Sequence, residues 1–453
     1  MTYYQRYFYF NQRFESGQLK EAQDILLKDK KGDRGKNRLI YYMNRGVVES
    51  MLGNYEESNR QFEQAYITID DYYKNPLNEG LAYLTNPKFV EYKGEDFEVI
   101  YIHYYKALNY LKMNQNEEAL VECKRMNIKL SALSDKYTSE KKYKRDAFVH
   151  LLMGIIYEAN HDANNAFIAY RNALDIYQND YAHLFGSDVP EQLKKDIIRT
   201  AYQTGFYDDA KRYKELFNMA DMPSKEKTGE IIFLWHNGLC PIKTENSIEM
   251  IAVRGQGGWL TFRNEQMGLS FPFYVNDSDY ESKGLNKLNI IRVAFPQYIE
   301  RPAVFNNGSL TIDNQSSSIP LQLVEDVNAI AFKCLQERMA WEFGKALLRV
   351  AIKKAAEYAI RKENKDAATA VGILNAFTEQ ADTRHWQTLP HGIYYCRLSL
   401  PEGNHTITLT VKSNKIDQVQ QHQFTFTIQS GKTYFHTFHS LESLPTPLSS
   451  YSY

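Results

Sequence analysis

The sequence predicts an α+β protein. An N-terminal TPR-like α-solenoid covers residues 1–225, and a β-rich, sandwich-like half covers 226–453, with a long helical insertion at about 321–380. Three observations predict it. Small and aromatic residues recur in helical register through the first half, and from Gly229 onward short β-branched and aromatic runs alternate with turn pairs. The chain's 453 residues also exceed the roughly 250–300 that one core accommodates.

The helical half is read from repeats. The tetratricopeptide pattern places small residues at positions 8 and 20, where two helices touch, and large ones at 4, 11, 17 and 24, with Gly near 15. One copy spans 39–72, with Tyr42, Gly46, Gly53, Tyr55, Ser58, Phe62 and Ala65 in register. A second, over 100–133, has Ala107, Tyr110, Ala119 and Cys123, and a third, over 147–180, has Gly154, Tyr157, Ala166, Tyr170 and Ala173. Weaker copies flank these at Gly17, Leu19 and Ala22 and at Gly205, Tyr207 and Ala210, as expected of end repeats that face solvent. Turn formers between Tyr73 and Glu98 mark the largest insertion.

In such a solenoid, positions 2, 5, 9 and 12 of the first helix line a concave groove. Positions 5 and 9 are Met43 and Val47, Tyr104 and Leu108, and Leu151 and Ile155, so the groove is apolar. It lacks the Lys/Asn/Arg set that clamps a peptide carboxylate. An apolar groove buries something, either a partner helix or the chain's own second half. These six residues, with Asp96 and Glu98 beside Tyr104 at the second repeat, are the candidate partner-binding set. The run Glu95-Asp96-Phe97-Glu98 also reads as an N-cap with charge favourable to the helix dipole.

The β half opens with Gly229–Trp235, the pair Asn237-Gly238 and Leu239–Ile242, which reads as strand, tight turn, strand. Further strands are expected at 290–294, 303–305, 310–312, 393–398, 405–411, 423–428 and 432–438. Between them, Val324, Val327, Ala331, Cys334, Phe343, Leu347, Val350 and Ala351 recur at helical spacing, and 345–361 is basic and Ala-rich, as a core-packing helix or a membrane-surface helix would be.

Composition excludes several classes. A net charge of -1 and a pI near 6.8 argue against nucleic acid and against a polybasic membrane mode. No run reaches the ~18 apolar residues of a membrane span, and Met1–Gln5 has neither the basic nor the apolar region of a signal peptide. Cys123, Cys240, Cys334 and Cys396 are too scattered for a metal site or a disulfide framework and read as buried apolar residues. His436 and His439 lack a third ligand, and Asp382 with Arg384 reads as a structural ion pair. Nucleophile-elbow, zinc-protease, phosphate-loop and dinucleotide fingerprints are absent, and Arg254-Gly255-Gln256-Gly257-Gly258 is a surface loop. The expectation is a non-enzymatic protein without cofactor, metal or catalytic residues, its small-molecule ligand unknown. A sugar-binding alternative rests on Trp259, Phe271, Phe273 and Trp386 in the β half.

Four strings are distinctive: Tyr92-Lys93-Gly94-Glu95-Asp96-Phe97-Glu98 with Tyr104–Leu111, Gly238-Leu239-Cys240-Pro241-Ile242-Lys243, Val324-Glu325-Asp326-Val327-Asn328-Ala329-Ile330-Ala331, and Ala381-Asp382-Thr383-Arg384 with Leu389-Pro390. Together they resemble an uncharacterised bacterial TPR-containing family of predicted lipoproteins. The resemblance implies a periplasm-facing or surface lipoprotein of the cell envelope, meeting the membrane through a lipid anchor. It also implies a protein partner there, near activators of penicillin-binding proteins, and so a link to peptidoglycan synthesis. It implies no activity.

Overall fold

A computed structural model describes residues 2–74, 90–136, 143, 145–219, 228–265, 268–282, 290–313, 315–339, 344, 346–347, 380–413 and 415–444. The helical half comprises α1 Tyr3–Arg6, α2 Phe8–Glu15, α3 Leu19–Lys28, α4 Arg38–Met51, α5 Tyr55–Lys74, α6 Asp96–Lys112, α7 Asn116–Lys136, α8 Ala147–Ala159, α9 Ala163–Ile176, α10 Ala182–Phe185, α11 Glu191–Gln203 and α12 Tyr207–Phe217. Among the described residues these form five antiparallel hairpins, α2/α3, α4/α5, α6/α7, α8/α9 and α11/α12. At each hairpin turn one residue has positive φ: Gly17, Gly53, Asn114, His161 and Gly205. Asn114 and His161 hold the same left-handed place without glycine, so the turn is common to all five repeats.

The repeat register has a steric basis. A Cβ on Gly46 would lie 2.5 Å from the Phe62 ring, and one on Gly154 would lie 2.3 Å from the Tyr170 ring. In both repeats the bare position 8 of the first helix therefore receives the aromatic at position 24 of the second. A π-turn, Tyr177–Tyr181, joins α9 to α10.

The β half contains β1 Thr228–Asn237, β2 Ile242–Arg254, β3 Trp259–Asn264, β4 Leu269–Tyr274, β5 Ile290–Ile299, β6 Asn307–Ile312, β7 Ser318–Pro320, β8 Gln322–Glu325, β9 Gly392–Pro401, β10 Gly403–Ser413, β11 Gln418–Ile428 and β12 Thr433–Ser440. A short helix, α13 Asp277–Ser282, follows β4, and α14 spans 327–339. The strands form three sheets, ordered β12-β1-β9-β8, β11-β10-β6-β7 and β4-β3-β2-β5. The first two pack face to face, Ile231, Phe233, Trp235 and Leu398 of one against Leu310, Ile407, Leu409 and Val411 of the other. The opposite face of the first sheet, with Ile232, Leu234, Ile393 and Tyr395, shares one core with the helical half. Buried on both faces, β1 carries a continuous apolar run, Ile231–Trp235, rather than an alternating one.

Three expectations are corrected. Asn237-Gly238 does not close a hairpin: β1 pairs with β12 in parallel and with β9, while β2 joins another sheet. Gly238, at φ 64°, instead turns the chain out of the first sheet, its N–H bonded to Ser440 O. The helical insertion does not begin at 321, because Gln322–Glu325 is a strand paired with β9. Asp326 then caps α14, accepting from Ala329 N at 2.8 Å. Val327, Ile330, Ala331, Cys334 and Leu335 form its buried stripe, whereas Val350, Ala351 and the rest of 348–379 lie outside the described residues. Residues 303–305 form only a bridge, Ala303 to Ser443.

Candidate functional site

The groove of the helical half is occupied by the chain itself. Met43, Val47, Tyr104, Leu108, Leu151 and Ile155 are all buried, in one cluster with Ile232, Leu234, Trp386 and Leu389 of the β half. Between α14 and β9 the chain runs without regular structure through 381–390, and nearly every residue of this stretch is buried. It lies along the first helices as a bound peptide would. Tyr3 N donates to Thr383 Oγ1 at 3.1 Å, Gln387 Nε2 to Asn11 Oδ1 at 3.0 Å, and Thr388 Oγ1 to Asn44 Oδ1 at 3.0 Å. Arg384 donates to the carbonyls of Lys36 and Val90, at 3.1 and 2.9 Å, and is held by Asp382 at 2.6 Å. Trp386, fully buried, packs on the rings of Phe62 and Tyr105.

Three of the four distinctive strings meet here, Lys243 reaching both Glu95 and Arg384 O. Glu95 begins α6, and its carboxylate binds Lys243 Nζ and Arg338 Nη2, each at 2.5 Å. Burial pushes this carboxyl up, but the two cations outweigh it and bring it to about 2. Glu98 does more than cap the helix: it accepts from Glu95 N at 3.0 Å, from Tyr92 Oη at 2.7 Å and from Trp386 N at 2.5 Å. Burial and the neighbouring Glu95 charge raise its carboxyl to about 7 against those hydrogen bonds. Asp96 is half-exposed at the end of the same helix. Thus Glu98 and Tyr104 belong to the junction between the halves, and Asp96 borders it.

At the far end, Glu325 of β8 enters a cage of tyrosines. Tyr101 and Tyr181 donate to it at 3.1 and 2.9 Å, and Tyr177 donates to Val324 O at 2.7 Å. The π-turn points Tyr177 and Tyr181 at one strand end, a common use of such turns. Glu325 also hydrogen-bonds to the Asp146 carboxyl, which accepts from Tyr143 at 2.5 Å and caps α8. Burial first, and then Asp146, hold Glu325 well above the usual carboxylate range.

Two further contacts cross the junction. Tyr104 Oη lies 2.7 Å from His236 Nε2, and the His236 ring meets His439 edge-on. Arg397 of β9 reaches Glu158 at 2.8 Å and Tyr170 at 3.0 Å, with Arg199 on the same carboxylate. Beside this network a polar cleft of about 240 Å³ is lined by Glu158, His161, Gln203, Thr228, Glu230 and Lys432, among others.

Other candidates are redistributed. Trp386 is core, and Phe271 and Phe273 pack inward beneath the third sheet, which leaves Trp259, with Tyr274, facing solvent. All four cysteines are buried and free. Among the described residues no His/Cys/Asp/Glu group is placed to hold a metal, and no helix is long and apolar enough to cross a membrane. Lys243, Arg338, Arg397 and Glu325 were not singled out in the sequence as functional residues. Their signal is a charge set inside or directly after an apolar run.

Hairpins with this register and an inner groove define a TPR-type repeat protein joined to a β-sandwich. No family profile matches the chain, and no curated protein matches it. Solved structures that resemble part of it include MamA, at 14% identity over 45% of this chain and 89% of that one, with a TM-score of 0.29. BtubC (BKLC) from P. vanneervenii shares 16% identity over 47% and 80%, with a TM-score of 0.32. The nearly identical TPR-like repeats described as a Podosopora anserina kinesin light chain share 15% over 48% and 96%, also with a TM-score of 0.32.

Proposed function

We propose that this chain is a non-enzymatic interaction protein of the cell envelope, whose repeats clamp its own β half so that partners meet the outside of the clamped body. The observation that carries this reading is the 381–390 segment in the groove, fully buried at Trp386 and Leu389. A groove of this kind serves recognition in repeat proteins, and here it is already engaged. A partner that uses Met43, Val47, Tyr104, Leu108, Leu151 or Ile155 must first displace that segment. The buried carboxylates of the junction are tied to cations, tyrosines or backbone, which suits a structural role better than acid–base work. The envelope setting, a lipid anchor and a link to peptidoglycan synthesis rest on the family resemblance alone.

The test is capture from envelope extracts with the full chain, in parallel with a Trp386→Ala, Leu389→Ala variant that loosens the groove. A partner retained equally by both binds outside the groove. A partner gained only by the variant binds within it. Repeated captures with no specific partner would sink the reading.

A second reading, glycan binding, is favoured by one observation. Trp259 and Tyr274 stand exposed on the third sheet with ring centroids 5.9 Å apart and planes at 77°, two aromatic rings open to contact with a sugar. Co-sedimentation with purified sacculi, lost on Trp259→Ala, supports it; no sedimentation removes it.

A further inference from the structure

A sheet edge offers unpaired N–H and C=O groups, and folded proteins protect such edges with short strands, proline, charge or a covering helix. Among the described residues the three sheets have six edges. β7 has three residues, ending in Pro320, and β8 has four, broken by a bulge. β4 carries Pro272, and β5 carries Arg292 and Pro296. β12 is met by α6, whose Lys112 Nζ donates to Phe435 O at 3.0 Å. β11 has none of these devices. It runs eleven residues, Gln-Val-Gln-Gln-His-Gln-Phe-Thr-Phe-Thr-Ile, without charge, proline or glycine.

The ladder fixes which groups face outward. Asp313 N bonds Thr406 O and Asn306 N bonds Lys412 O, so even residues of β10 face β6 and odd ones face β11. With Ile407 opposite Phe424, the even residues of β11 bond to β10. The peptide groups of Val419, Gln421, Gln423, Thr425 and Thr427 therefore point away from the sheet. None of them has a backbone partner among the described residues, and Val419 is 55% exposed.

We propose that β11 pairs antiparallel with β11 of a second copy, about a twofold axis at Gln423, joining two four-stranded sheets into one. Charge selects hetero-partners and sets their register, and this edge has none to do so. A symmetric pairing needs none. It places Gln421 opposite Thr425 and Val419 opposite Thr427 of the partner copy, with no like charges facing, and two-fold closure is the commonest oligomer symmetry. The pairing is independent of the interaction reading above, since it uses neither the groove nor the Trp259 face.

The test uses the full chain. Light scattering after size exclusion from about 1 to 100 μM should show a monomer–dimer equilibrium, since associations of modest interface sit near the micromolar range. Gln421→Lys with Thr425→Lys sets like charges opposite each other at exposed positions, and should weaken dimerisation about 10- to 30-fold with circular dichroism unchanged. Gln423→Cys lies on the axis, where Cα atoms of a hydrogen-bonded pair are about 5.5 Å apart, within disulfide reach. It should cross-link on mild oxidation, whereas Val419→Cys, about 27 Å from its twin along the strand, should not. A monomer at every concentration without the Gln423→Cys cross-link overturns the proposal, as does a dimer that survives both lysines. Capture of another protein's strand by β11, with no dimer, overturns it too.

Discussion

Lys243 Nζ lies 2.5 Å from Glu95 Oε1, joining the start of the third sheet to the N-terminus of α6 across 148 positions of sequence. Both side chains are buried, and Arg338 takes the second oxygen of the same carboxylate. One anion between two cations in low dielectric is costly to disturb, because the partners left behind stay desolvated.

Glu95→Gln should therefore lower stability by about 3–5 kcal/mol, the scale of an uncompensated buried charge. The urea midpoint should fall, and thermal unfolding should begin at the junction. An unchanged midpoint would mean that the network contributes nothing.

The same substitution at Glu325 should behave differently. Glu325 accepts from Tyr101 at Oε1 and from Tyr181 at Oε2, and an amide keeps one of these acceptors while turning its NH2, a donor, toward the other hydroxyl oxygen. Glu325→Gln should cost less than about 1 kcal/mol at neutral pH, near the net worth of one hydrogen bond. Its raised folded pKa means that Glu325 contributes stability below the unfolded value and loses it as pH rises through the folded one. The variant should thus lose less stability than the native chain on going alkaline.

Gly46→Ala and Gly154→Ala test the repeat register. Alanine gains up to about 1 kcal/mol of helix propensity, yet each new methyl would sit 2.5 Å or less from a core ring. Overpacking costs roughly 1–3 kcal/mol, so both variants should be net destabilised in calorimetry. Stabilisation by either would place the second helices elsewhere.

Acid should weaken the junction above the pH at which carboxylates titrate. Burial holds His385 and His439 at about 3 and His236 well below the ordinary value. The unfolded chain protonates these rings near 6.5, so their stability is intact above 6.5 and is lost as pH falls toward 3. Glu98, raised to about 7, and Glu325, Asp146 and Asp196, raised as well, work in the opposite sense, losing their contributions as pH rises, but burial also lowers His103, His150, His391 and His436, so the rings outnumber the acids. Melting temperature should fall between pH 7 and 5, and His439→Phe should flatten that slope; a Tm independent of pH there would contradict the assignment.

Much of the helical half was legible because its signal is local. The spacing of Gly46, Phe62, Gly154 and Tyr170 is the packing itself, written within one hairpin. The positions of β1, β5, β6 and β9–β12 were legible for the same reason, whereas β3, β4, β7 and β8, and the pairing of all the strands, were not. Asn237-Gly238 has the composition of a hairpin turn, yet β1 finds β12 from 203 positions away and β9 from 155 to 173, and only burial on both faces hints at it. Least legible was the 381–390 segment, because a peptide bound in a groove has no periodicity. Apart from the Asp382–Arg384 pair its residues stand out only as strings, and Trp386, a sugar-stacking candidate in the sequence, is fully buried at the junction.

That reversal gives a paired prediction. Trp386→Ala should cost about 3–5 kcal/mol as a core truncation, while Trp259→Ala should stay within about 0.5 kcal/mol. Equal effects in parallel denaturant titrations would contradict the two placements.

The central claim is that the repeats hold the chain's own β half. The most direct measurement inserts a protease site between residues 219 and 228, cleaves the native protein and passes it over a sizing column. The two pieces should elute together, at the volume of the uncleaved chain run at the same concentration, and should come apart when Glu95→Lys and Trp386→Ala are added. Pieces of the native sequence that separate on cleavage, each still folded, would show that the groove is free and the claim is wrong.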